Sequence, residues 1–178
     1  MSAIELFRPR LCVGSIYDLD LGSLRSLGIR GIVIDLDNTL LPYGSREVTE
    51  EVRQWLRRVE EAGFAVIMVT NNRSQRSRAL AQGLRIPIAP GWAKPAGSML
   101  RRAMAMMGTT PAQTAMIGDQ LLTDILGGNR LGLYTILVTP IGTQEFPTTR
   151  FINRVIERLL LRLLGLSPAT RPARGRSA

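Results

Sequence analysis

The chain has 178 residues, 45% of them hydrophobic, with a formal net charge of +9 and a mean hydropathy of +0.08. That is one domain by length, with room for a real core and with no apolar run near the roughly 18 residues a membrane span needs. Histidine is absent, which excludes Ser-His-Asp catalysis, His-liganded zinc and phosphohistidine chemistry and leaves acid–base work to carboxylates, lysine or tyrosine.

The N-terminal arm lacks a signal-peptide core, so the expected compartment is the cytoplasm. It carries the lone cysteine, Cys12, which rules out an intramolecular disulfide. Asp18 stands where a cysteine phosphatase would have its arginine, so Cys12 is read as a small buried hydrophobe. Leu21 to Gly28 predicts a short helix closed by glycine. Gly31 to Asp35 is β-branched and apolar and predicts the first strand. Val48, Val52, Trp55, Leu56 and Val59 recur at helical spacing between a Thr49 cap and a Gly63 stop. Phe64 to Val69 predicts a strand leading into Thr70-Asn71-Asn72, and Ser74 caps a helix running through Gln82. A short strand is expected at Ile86 to Ile88, followed by Pro90-Gly91-Trp92-Ala93 and Lys94-Pro95. A helix from about Ala96 to Met107 ends at Gly108, its methionines read as core filler. Thr114 to Ile117 predicts a strand entering Gly118-Asp119-Gln120, with Asp124 five residues on, and Tyr134 to Val138 predicts the last strand. The alternation implies a doubly wound α/β fold with a parallel sheet. In such sheets ligands bind outside the carboxyl ends of the strands.

Asp35 and Asp37 lie at or just past a strand end and lean to the same side. Two close carboxylates are costly to bury without a cation or a shared proton. A metal beside one, with the other free to move protons, explains the pair; a polar strand-to-loop turn is the plain alternative. Lys94 is the one lysine among 23 basic residues. A coding bias toward arginine explains the other 22 and not the exception. The compact ammonium on a flexible stem is the property that would retain it.

The ordered set Asp35-x-Asp37-x-Thr39, Thr70-Asn71, Lys94-Pro95 and Gly118-Asp119-x(4)-Asp124 resembles the haloacid dehalogenase superfamily of phosphotransferases. Ser15-Ile16-Tyr17-Asp18-Leu19-Asp20, Thr70-Asn71-Asn72 and Gly118 through Asn129 narrow the resemblance to the YqeG-type phosphatases, over about Pro9 to Arg162. The resemblance implies a Rossmann-like doubly wound sheet and Mg²⁺-dependent hydrolysis of a phosphomonoester. It makes Asp35 the nucleophile and Asp37 the general acid and base. It gives the metal to the Asp35 carboxylate, the Asp37 backbone carbonyl and the Asp119 carboxylate. Thr70 and Asn71 would bind phosphoryl oxygens, and Lys94 would neutralise their charge. Asp124 would orient Lys94 or a water, and Thr39 would brace the loop. The intervals between motifs leave no room for a large cap domain. The site is then open and suits a phosphate carried by a lipid, a protein or a nucleic acid. Tyr43 and Trp92 either line its rim or simply pack. Relatives of this type are similar to organellar phosphatidylglycerophosphate phosphatases, which makes that lipid the first substrate to consider. The rivals are phosphatases for nucleic-acid ends, phosphoproteins or soluble metabolites. A non-catalytic basic adaptor for RNA or the ribosome is the rival from another class.

Residues 146–178 hold seven arginines and one glutamate, +6 of the net +9. Arg150, Arg154, Arg158 and Arg162 recur every fourth residue within a helix expected at about 148–164. This basic amphipathic helix either docks on an anionic membrane, at the inner face, or packs on the sheet with a solvated arginine face. Nucleic acid is less favoured, because no aromatics interleave with these arginines. Residues 1–166 are expected to form the single domain, and 167–178 have the composition of a disordered tail.

Overall fold

A β-branched run between two turn signals makes the central strand, β2 (Gly31–Asp35), buried along its whole length. The computed structural model describes residues 3–71, 74–90, 97–142, 156 and 159–166. Around β2 stand β1 (Leu11–Val13), β3 (Ala65–Val69), β4 (Thr114–Gly118) and β5 (Tyr134–Val138). Their order is β1-β5-β4-β2-β3, and every neighbouring pair is parallel. The chain leaves β2 for β3 on one side and later returns to the other side with β4. The crevice at this reversal, beyond the carboxyl ends, is where open α/β sheets bind ligands.

Alternation along β2 divides the core into two layers. Ile32 and Ile34 belong to the layer with Trp55 and Leu56 of α2 (Glu50–Glu61) and Leu80 and Leu84 of α3 (Gln75–Leu84). Val33 belongs to the other, with Met99, Leu100 and Ala103 of α4 (Ser98–Met107). Helices on both faces give the doubly wound α/β fold that the sequence predicts. Thr49 caps α2 by accepting from the Val52 N–H at 3.4 Å, and Ser74 caps α3 by accepting from Ser77 N–H at 3.3 Å. Two shorter helices, α1 (Leu21–Ser26) and α5 (Leu126–Leu131), complete the layers. A π-helical turn, Leu121–Ile125, leads into α5. A Cβ on Gly128 would strike Thr135 Cγ2 at 2.6 Å, so glycine lets α5 close onto the sheet. Among the described residues, the loop 36–49, α2 and β3 lie between Asp35 and Thr70, and no cap domain is inserted there.

Three expectations are corrected. Part of the N-terminal arm is a strand: Leu11 pairs with Ile136 at the edge of the sheet. Three half-buried residues show no periodicity, so the sequence did not reveal it. Conversely, Ile86 to Ile88 makes a single bridge between Met68 and Ile88 rather than a strand, because Pro87 and Pro90 have no N–H to extend a ladder. Cys12 is only half-buried, although burial still pushes its thiol above the ordinary range. The methionine reading holds for Met99 and Met104, while Met106 is exposed.

Arg150, Arg154 and Arg158, with the tail, lie outside the described residues; Arg162 lies within them. Leu164 is buried, and its carbonyl accepts from Arg8 Nη1 at 3.1 Å, so the end of this segment touches the fold. Leu159 and Leu163 are exposed.

Candidate active site

Register brings the motif residues together. Asp35 is level with Val69, so Thr70 follows at the next strand end. Ile34 is level with Ile117, so Gly118 lies beside Asp35 and Asp119 comes one residue beyond. Asp124 arrives from the π-helical turn, where its N–H donates to the Gln120 carbonyl at 3.0 Å and its Oδ2 accepts from the Gln120 N–H at 3.2 Å. One carboxylate oxygen from each of Asp35, Asp119 and Asp124 lies within 4.8 Å of the other two, and all three residues are buried. The Thr39 hydroxyl donates to Asp119 Oδ1 at 3.3 Å, tying the loop after β2 to the loop after β4. Thr70 is buried and Asn71 exposed at the end of β3. Lys94 and Trp92 lie outside the described residues, and Tyr43 is half-buried.

Asp37 takes a different path. The chain turns sharply after Leu36, whose carbonyl accepts from the N–H groups of both Leu40 and Leu41 at 3.1 and 3.0 Å. Asn38 sits at φ +62°, the left-handed region that asparagine tolerates better than most residues. Its Oδ1 accepts from Tyr43 N–H at 3.1 Å, and its carbonyl accepts from Ile141 N–H at 2.9 Å. This fixed turn directs the Asp37 carboxylate to Arg76, in the first turn of α3. Arg76 Nη1 donates to Asp37 Oδ1 at 3.0 Å, and Nη2 donates to the same oxygen. The two side chains are 14% and 16% exposed. Arg76 was missed in the sequence. The available signal was a cation in the first turn of a helix, at the unfavourable end of its dipole, which calls for a local anion.

Three buried carboxylates this close repel one another, and only a cation or protonation offsets the cost. Oxygen ligands of one magnesium-sized ion lie about 3 to 4 Å apart in octahedral geometry. The triad gathers three oxygens within 4.8 Å of one another, and its all-oxygen donor set suits a hard divalent cation.

Residues 1–84 match a family model described as mitochondrial PGP phosphatase, and residues 91–145 match one for haloacid dehalogenase-like hydrolases. Over 160 residues the chain is 37% identical to the Bacillus subtilis protein named "Probable phosphatase YqeG", covering 90% of this chain and 92% of that one. The chain belongs to the YqeG-type phosphatases of the haloacid dehalogenase superfamily. As a haloacid dehalogenase-type phosphatase it acts on phosphorylated substrates. Phosphatases of this superfamily use a divalent metal, which the buried triad can hold. The YqeG-type chain is also 32% identical over 163 residues to phosphatidylglycerophosphate phosphatase 1 of the Chlamydomonas reinhardtii chloroplast, covering 86% of this chain and 60% of that one. A crystal structure of an uncharacterized Listeria monocytogenes protein superposes with a TM-score of 0.51 at 15% identity, over 78% of this chain and 100% of that one; this likeness concerns the fold alone.

Proposed function

We propose that this phosphatase is a Mg²⁺-dependent phosphomonoester hydrolase that works through an aspartyl-phosphate on Asp35, with phosphatidylglycerophosphate as its substrate. The observation that carries the chemistry is the convergence of Asp35, Asp119 and Asp124 at the ends of β2 and β4, with Asp37 held apart on Arg76. Asp35, Asp119 and the Asp37 backbone carbonyl would hold the cation, with Asp124 completing the acidic set. When bound, Mg²⁺ supplies positive charge opposite the phosphoryl oxygens.

A carboxylate oxygen of Asp35 attacks phosphorus, and the bond from phosphorus to the ester oxygen breaks. Asp37, protonated on Oδ2 while Arg76 holds Oδ1, gives its proton to the departing alcohol oxygen. Asp37 then takes a proton from water, whose oxygen attacks phosphorus, and the bond from phosphorus to Asp35 breaks to release inorganic phosphate. Thr70 and Asn71 donate to the phosphoryl oxygens, and Lys94 neutralises charge built up on them. Thr39 supports this arrangement by fixing Asp119.

The lipid substrate is supported by the match of residues 1–84 to the PGP phosphatase model and by the uncapped crevice. Among the described residues no helix is long and apolar enough to cross a membrane. The basic series Arg150, Arg154, Arg158 and Arg162, read from the sequence, is assigned to contact with an anionic lipid surface. A screen of the purified protein with Mg²⁺ against lipid, nucleotide and sugar phosphates tests the reading. Phosphatidylglycerophosphate in mixed micelles should give the highest kcat/KM. A higher value for a nucleotide or sugar phosphate would replace the lipid assignment.

A further inference from the structure

Between the start of α2 and α3, with Arg76 in its lining, the surface opens into a groove of about 830 Å³. Loop residues Arg46, Glu47 and Val48 and Arg53 of α2 form one wall; Ser74, Arg76 and Gly83, in and before α3, are among those forming the other. Three arginines, Arg46, Arg53 and Arg76, line this space against one acidic residue, Glu47. Arg53 is fixed to the wall by donating from Nη1 to the Gly83 carbonyl at 2.9 Å. Arg46 is exposed at the opening. Arg76 belongs both to the groove and to the site, because its two terminal nitrogens hold Asp37. Its Nε is buried and meets no acceptor among the described residues.

The position of the acid gives this groove its meaning. A general acid must lie within hydrogen-bond reach of the oxygen it protonates, and here that oxygen belongs to the departing alcohol. The groove is lined by the residue that holds Asp37, which makes it the neighbouring space into which the rest of the alcohol can extend. A volume of this size holds far more than a methyl or aryl group, and an arginine-rich wall favours an anion, which planar guanidinium groups bind in bidentate fashion.

We propose that this groove is the leaving-group subsite, that Arg46 and Arg53 select an alcohol carrying a second phosphate, and that Arg76 is the positioning residue that orients Asp37 toward it. The inference rests on the phosphomonoesterase reading and deepens it by naming the residues that would recognise the second phosphate. The chemistry is shared by a phospholipid headgroup and by a soluble alcohol bearing two phosphates.

Three phosphomonoesters separate the cases in the presence of Mg²⁺: glycerol 3-phosphate, the deacylated headgroup glycerophosphoglycerol phosphate, and its dihexanoyl phosphatidyl form. The wild type should show a kcat/KM at least about tenfold higher for the deacylated headgroup than for glycerol 3-phosphate, the gain of one charge-assisted contact. The double substitution Arg46→Gln/Arg53→Gln should bring this ratio close to one, and Arg46→Lys/Arg53→Lys should restore most of it. If the double glutamine variant loses its native circular dichroism, Arg46→Gln alone should still lower the ratio. Given that preference, a further gain on adding the acyl chains identifies the lipid source, and no gain identifies a soluble one; both keep the subsite. A wild-type ratio near one overturns the proposal, as does a ratio unchanged in a folded glutamine variant. Failure of the wild type to hydrolyse even para-nitrophenyl phosphate would instead overturn the phosphomonoesterase reading on which it rests.

Discussion

The carboxylate of Asp124 occupies the space that a side chain on Gly118 would fill. A Cβ built on Gly118 falls on the Asp124 carboxylate, so the glycine that ends β4 makes room for an acid six residues later. The conformation at Gly118 is an ordinary one, and the glycine is needed for space alone.

Gly118→Ala should therefore push Asp124 away from Asp35 and Asp119 while leaving the strand intact. The apparent affinity for Mg²⁺, read from an activity titration, should fall by about ten- to a hundredfold, the usual effect of disturbing the supports of a metal site. Circular dichroism should stay native. An unchanged Mg²⁺ titration would separate Asp124 from the metal.

Metal binding should also be visible without turnover. The triad is buried and mutually repulsive, so a cation that binds the folded state alone stabilises it. At a hundred times Kd the gain is about 2.7 kcal/mol, a rise of several degrees in Tm for a chain of this size. EDTA should reverse the rise and abolish para-nitrophenyl phosphate turnover. Equal Tm and full activity in EDTA would remove the metal from the site.

On the proposed mechanism, Asp37→Asn keeps the nucleophile and the backbone carbonyl but removes the proton donor. Turnover of alkyl phosphates should fall by about a hundredfold or more, and that of an activated aryl phosphate much less. Arg76→Ala should reproduce this dependence on the leaving group in weaker form, because it frees the carboxylate it now holds. Arg76→Lys should recover part of the loss. Equal losses for alkyl and aryl substrates would show that Asp37 is not the acid.

Much of the layout of the candidate site was legible because it follows from strand ends. Asp35, Thr70 and Asp119 each close or follow a predicted strand, and parallel register alone brings them together. The charge of Arg76 at a helix start signals an anion nearby, but Asp37 as that anion was not legible, because the pairing is set by the sharp turn at Asn38 and by the direction α3 takes after Ser74. Neither is a periodic signal. The edge strand β1 escaped for a related reason: three residues gain their conformation from β5 rather than from their own pattern. Pro87 shows the converse, a chain with strand-like composition but without the N–H that a ladder needs.

The carboxyl-terminal arginines give a prediction tied to salt. If Arg150, Arg154, Arg158 and Arg162 dock the enzyme on lipid, sedimentation with anionic vesicles should weaken as ionic strength rises, since screening acts over about 8–10 Å at physiological salt. Arg154→Glu/Arg158→Glu should reduce vesicle binding and lipid-phosphate turnover more than turnover of a soluble phosphomonoester. The clasp of Arg8 on the Leu164 carbonyl calls for a folding control. Absence of wild-type vesicle binding at low salt would reject the membrane role.

Asp35 as nucleophile is tested most directly by acid-quenching the enzyme during turnover of a substrate labelled in its phosphate. The wild type and Asp37→Asn should carry label on the precipitated protein, in an acid-stable, hydroxylamine-sensitive form, and Asp35→Asn should carry none and release no phosphate. Labelled protein in Asp35→Asn, or turnover by that variant at the wild-type rate, would contradict the assignment of the reaction to Asp35.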